Sequence, residues 1–153
     1  MRHGVGYAIV TMILLTCTLP SLCQTCDAAL WQHVYRRSRL KVVSNCISVT
    51  GTVLSITPET DGDLHVRVKL DPVYTHLLNG FNNKRQGGAL IVEPICDHRP
   101  SRSDARAACG AFHQHFSSVK VGNHVKITGA YVVDTAPTNG WREIHPITSV
   151  TPP

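Results

Sequence analysis

The sequence predicts an all-β domain with small α content, built as a small closed barrel of five strands with an N-terminal helix and a disulfide-tied loop. Three observations predict it. Five segments either alternate apolar and polar residues or run apolar at strand length. Glycines interrupt two of them, Gly51 in the first and Gly129 in the fourth, as glycine does where a barrel strand bends sharply. Helical material falls between the third and fourth strands, so the pattern is OB-like. An open sandwich usually needs about seven strands.

Asp27 can cap a helix starting at Ala28, and Leu30, Trp31, Val34 and Tyr35 give it one apolar side. Arg36, Arg37 and Arg39 follow near its end, where cations meet the negative pole of the helix dipole. The first strand is expected over residues 47–53, where Ile47, Val49 and Val53 alternate with Ser48, Thr50 and Thr52. Pro58, Asp61 and Gly62 punctuate a turn. In the second strand Leu64, Val66, Val68 and Leu70 alternate with His65, Arg67, Lys69 and Asp71, so one face is aliphatic and the other is mainly basic. A short helical turn is expected at residues 74–78, a polar loop at 79–88, and a nearly continuous apolar third strand at 89–95, broken only by Glu93. Residues 96–110 read as a charged loop with a short helix over 103–108. The fourth and fifth strands are expected over 124–133 and 141–150.

The N-terminus has the form of a secretory signal, with Arg2 and His3 ahead of an apolar run and small residues before Cys23. The run spans residues 5–19, shorter than the roughly 18 or more apolar residues of a membrane-spanning helix. The expected organisation is therefore a signal peptide, 1–23, and one domain, 24–153. No transmembrane segment is expected after cleavage, and the mature chain is expected to be secreted or on the exterior of the cell envelope. Cys17 and Cys23 go with the leader. Cys26, Cys46, Cys96 and Cys109 remain, an even number for an oxidising compartment. Three pairings are open to four cysteines. Cys96 and Cys109 bracket one loop, which makes them the first expected bridge, and Cys26–Cys46 follows by elimination. The mature chain keeps no Cys-x-x-Cys pair, which argues against a structural zinc.

The formal net charge is +5, a balance that suits anionic partners or simple solubility. His65, Arg67 and Lys69 form a basic stripe that could follow a polyanion or single-stranded nucleic acid. Such binding also needs stacking aromatics, and the nearest are Tyr74 and Phe81 in the following segment. Trp141, Glu143 and His145 share one side of the last strand by alternation. They read either as a binding spot or as a polar network closing the barrel, with the carboxylate raising the imidazole's pKa. His98, His113 and His115 flank the disulfide loop and could hold zinc or copper if the loop brought them together. Glu93, an acid among apolar neighbours, needs a buried partner, for which Arg142 and His145 are the candidates. There is no Gly-x-Ser-x-Gly elbow and no phosphate-binding glycine loop.

Four motifs carry a family resemblance over roughly residues 39–150. They are Arg39-Leu40-x-Val42 leading to Cys46-x-x-Val49-Thr50-Gly51-x-Val53, and Asp61-Gly62-Asp63-Leu64-His65 leading to Leu70-Asp71. Then come Val92-Glu93-Pro94-Ile95-Cys96, and Thr128-Gly129-x-Tyr131-Val132-x-Asp134 with Trp141-x-Glu143-Ile144-His145-Pro146. The chain resembles an uncharacterised group of small exported microbial proteins ending in Trp-x-Glu-Ile-His-Pro. The resemblance implies an OB-like barrel and supplies no reaction. A likeness to secreted thermonucleases, through Asp61-Gly62-Asp63, breaks at Asp71-Pro72-Val73, where their glutamate would follow the proline.

The expectation is thus an exported, non-catalytic binding or accessory module of unassigned ligand, with no cofactor. Its partner would be an anionic polymer or another envelope or extracellular protein. Polyanion binding through the strand face is the first alternative, and metal-assisted hydrolysis is the second.

Overall fold

The computed structural model describes Met1, residues 25–116 and residues 119–153. Apart from Met1, the expected signal peptide lies outside the described residues. Five strands, β1 (Leu40–Pro58), β2 (Leu64–Leu70), β3 (Leu90–Val92), β4 (His124–Asp134) and β5 (Arg142–Thr151), close into a barrel in the order β1-β2-β3-β5-β4. Pairing is antiparallel except between β3 and β5, which run parallel. Two short helices, α1 (Gly80–Arg85) and α2 (Arg106–Cys109), sit in the connections.

The alternation seen in the sequence fills the barrel. Val49, Val53, Val66, Val68, Leu90, Val92, Ile127 and Ile144 all belong to one core and are at most 1% exposed. Burying each such side chain contributes about 1.5–3 kcal/mol. Both interrupting glycines lie where backbones nearly touch. A Cβ on Gly51 would meet the Lys69 carbonyl oxygen at 2.5 Å, and one on Gly129 would meet Ile144 Cγ2 and the Pro146 carbonyl oxygen at 2.5 Å. The β4–β5 register shifts on both sides of Gly129, which lets the wall turn there.

A second core lies outside the barrel. Leu30, Val34, Leu40, Ile95, Ala130 and Val132 pack with Cys96 and Cys109. Both expected bridges are present, Cys26–Cys46 and Cys96–Cys109, closing sequence separations of 20 and 13 residues. Each stabilises the fold by roughly 3 kcal/mol through loss of unfolded-chain entropy. Two disulfides fit an extracellular protein. Among the described residues no helix is long and apolar enough to cross a membrane.

Several elements depart from expectation. The N-terminal helix is a 3-10 helix, Ala28–His33, capped by the Asp27 side chain on the Ala29 N–H. The three arginines do not line its end. Arg36 lies against Tyr35 and Asp104, Arg37 stacks over Trp31, and Arg39 reaches the buried Asp134 at 3.5 Å. The first strand is much longer than residues 47–53, because β1 pairs with β4 along its first half and with β2 along its second. The third strand is shorter than expected, and the polar loop at 79–88 contains α1. A capping box at Asn79 and Asn82 starts that helix. Asn82 is fully buried: its Oδ1 accepts the Arg142 N–H at 2.9 Å, and its Nδ2 donates to the carbonyls of Arg142 and Ala89.

Candidate functional site: an acid–imidazole cluster on the barrel wall

The same alternation fixes what points away from the core. With Leu64, Val66, Val92 and Ile144 inside, His65 of β2, Glu93 just past β3, and Glu143 and His145 of β5 must point outward. β3 joins β2 on one side and β5 on the other, so these side chains meet on one stretch of wall. The stretch is covered. Side-chain exposure is 1% for His145, 0% for Glu143, 3% for Glu93 and 17% for His65.

Glu93 is the centre. Its Oε1 lies 3.2 Å from His65 Nδ1, and its Oε2 lies 2.7 Å from His145 Nδ1. His145 Nδ1 also faces Glu143 Oε1 at 3.2 Å, and Glu143 Oε2 accepts the Trp141 indole N–H at 2.9 Å. His65 Nε2 faces Gln86 Oε1 at 3.3 Å, and Trp141 stands edge-on to the His65 ring. Because both His65 nitrogens face oxygen acceptors, the doubly protonated ring satisfies both.

The turn before β2 supplies two further acids. Gly62 adopts φ +101°, and a Cβ there would meet the His98 carbonyl oxygen at 2.7 Å. This tight turn holds Asp61 and Asp63 in buried positions. Asp63 Oδ1 accepts the Cys96 N–H at 2.8 Å, which ties the acid to the disulfide loop. Asp63 Oδ2 faces His145 Nε2 at 3.8 Å, beyond hydrogen-bond range. At the rim Glu59 Oε1 lies 3.7 Å from His65 Nδ1.

Burial and mutual charge decide the protonation of these groups. Burial disfavours the charged form of Glu93, but the adjacent His145 cation and its hydrogen bond hold the carboxyl well below the usual range. Burial works against the His145 imidazolium, yet the charge of Glu93 and bonds to Glu143 and Glu93 raise it well above an ordinary histidine. His65 is raised in the same way, with burial opposed chiefly by its bond to Glu93. At Glu143, Asp63 and Glu59 burial outweighs the nearby imidazoles. Burial and the charge of Glu93 push Glu143 to about 7, and burial with Asp61 nearby pushes Asp63 to about 7 despite His145. Glu59 rises to about 7 through burial and the charges of Glu93 and Asp61.

Two groups of residues that look separate in the sequence are therefore one site. His65 joins Trp141, Glu143 and His145 through Glu93. The rest of the basic stripe does not take part: Arg67 donates from Nε and Nη2 to the Gln86 carbonyl, and Lys69 is exposed. Of the two partners expected for Glu93, His145 is the one present, while Arg142 Nη1 donates to the Tyr131 hydroxyl. His98 contacts the Glu59 carbonyl and His113 the Cys96 carbonyl, and His113 stacks with the exposed His115. Among the described residues, the groups of side chains close enough to hold a metal are Glu59–His65–Glu93 and Asp63–Glu93–His145, and neither includes those three histidines. Asp63, Glu59 and Gln86 were not singled out as site residues. The signal for Asp63 is its place just after the Gly62 turn and two residues before His65, so that both side chains take the same side of the chain entering β2.

No family model matches the chain, and no curated protein or solved structure matches it.

Proposed function

We propose that the chain is an exported OB-type binding module, without catalytic activity of its own, whose ligand site is the outward face of β2, β3 and β5. The strand order β1-β2-β3-β5-β4 with closure supports the OB reading. In OB folds the face of strands two and three is the ligand platform. The observation that carries the proposal is the convergence of His65 and His145 on Glu93 at that face, with Glu143 joined to them through His145. Five acids (Glu59, Asp61, Asp63, Glu93 and Glu143) surround two imidazoles, and this excess of acid suits a cationic ligand. A polyanion would meet those carboxylates, while Arg67 is already held by the Gln86 carbonyl. The cluster offers acids, imidazoles, an amide and an indole, with no hydroxyl or thiol nucleophile. The cysteines of the described domain are paired in disulfides.

The test uses Trp141 as the reporter in a Trp31→Phe background. Its fluorescence is followed during titration with small organic amines, a basic peptide, divalent cations, heparin and single-stranded DNA. A saturable response to cations, absent with the two polyanions, is expected. A response to heparin or DNA that weakens steeply as salt rises would instead identify the polyanion mode.

A further inference from the structure

The cluster contains a polar atom with nowhere to go. His145 is 1% exposed, and its Nδ1 is hydrogen-bonded to Glu143 and ion-paired with Glu93. Its Nε2 is buried and has no hydrogen-bond partner among the described residues. The atom opposite it is Asp63 Oδ2, at 3.8 Å, a distance too long for a hydrogen bond. A buried ring nitrogen left unpaired against an acid costs free energy that one more group between them would recover.

We infer that Asp63, Glu93 and His145 form a binding site for one divalent first-row transition cation, held between His145 Nε2 and Asp63 Oδ2 with Glu93 as the third donor. This inference rests on the cationic-ligand reading above and names the ligand class. Donor atoms of the three residues all lie within 4.8 Å of one another. A cation with bonds of about 2.0–2.2 Å draws its donors to roughly 3.5 Å apart, so side-chain shifts of about an ångström complete the set. The donors are one nitrogen and two carboxylates. Imidazole suits zinc and its first-row neighbours, whereas calcium and magnesium sites are built from oxygen alone. Glu143 takes the orienting role that carboxylates play behind metal-bound histidines. It accepts from Nδ1, which fixes the ring, and Nε2 gives up its proton to solvent as the metal takes its place. Asp63 is itself held in place by the Cys96 N–H on its other oxygen. A fully covered donor set fits a binding or structural centre better than a catalytic one, which keeps a position open to substrate.

The test is equilibrium dialysis of the oxidised, exported chain, stripped with chelator, against Zn²⁺ and Mn²⁺ separately, with elemental analysis of bound metal. One equivalent per chain is expected in the wild type and in the double variant His113→Gln/His115→Gln. Asp63→Asn and Glu93→Gln are each expected to weaken uptake by about tenfold or more, with cooperative melting used to confirm that at least one of them is folded. The inference is overturned if the wild type takes up no stoichiometric metal. It is overturned equally if folded Asp63→Asn and Glu93→Gln bind like the wild type, or if the loss appears in the histidine-loop variant instead. A Trp141 response to organic amines without metal uptake overturns the metal site and leaves the cationic-ligand reading standing. Silence in both assays removes both.

Discussion

The two faces of the wall formed by β2, β3 and β5 are made by the same three strands and have opposite chemistry. The inner face is aliphatic, and Val66, Val92 and Ile144 are fully buried against one another's neighbours. The outer face is also largely covered, but its residues include His65, Glu93, Glu143 and His145. Each face occupies every second position, so one run of residues encodes both. The inner face tolerates any aliphatic side chain of suitable volume. The outer face depends on particular partners, because a buried charge without its partner is far more costly than a small void.

The largest expected effect breaks the outer face at its centre. Glu93→Ala leaves His65 and His145 without their common carboxylate. It should destabilise the metal-free protein by about 3–5 kcal/mol, read from denaturant midpoints with the disulfides intact. A loss under 1 kcal/mol would mean that the outer face is held by its covering loops and not by charge. A smaller effect is expected where the two faces are forced against each other. Gly129→Ala places a methyl group 2.5 Å from Ile144 Cγ2 and from the Pro146 carbonyl oxygen. The strain should cost about 1–3 kcal/mol, and an unchanged melting temperature would show that the wall can spread there.

The gentlest probe is pH, which titrates the outer face and leaves the aliphatic inner one unchanged. Glu59, Asp63 and Glu143 are raised in the fold to about 7. Their contribution is therefore present in acid and is lost as pH rises from their unfolded values toward 7. His65 and His145 are also raised, so their stabilisation is complete below about 6.5 and is lost above it. Glu93 is lowered and contributes at every pH above its ordinary value, losing its effect only in stronger acid. The other charges facing these groups are Asp61, Arg39 and Asp134. Metal-free protein in chelator should thus melt at a higher temperature near pH 5 than near pH 8. A flat or rising profile over that range would show that the acids are screened in the fold.

The inner face was legible in the sequence because alternation is local. Leu64, Val66, Val68 and Leu70 declare their side within seven residues. The outer face was legible only in fragments. His65 was visible as part of a basic stripe, Glu93 as a lone acid in an apolar run, and Glu143 with His145 as a pair on the last strand. What joined them was pairing of β3 with both β2 and β5 across long stretches of chain, and no short window carries that information. The same limit explains the stripe: Arg67 looked free until α1 and Gln86 folded over it. It also explains the histidine loop, where spacing suggested ligands but each ring found a backbone carbonyl or a neighbouring ring. The helix at 80–85 was missed because its capping box is made by two asparagines in a run that otherwise reads as a turn.

Asn82 has a consequence for how the molecule behaves among others. β3 is only three residues long, so the backbone of Arg142 at the head of β5, paired with β4 on one side, extends past β3 on the other and has no strand there. The Asn82 amide takes that place, accepting from the Arg142 N–H and donating to its carbonyl oxygen. A side chain thereby imitates one residue of a neighbouring strand. The gap through which another chain could add itself to the sheet is sealed from within, and the protein is spared a ready seed for aggregation.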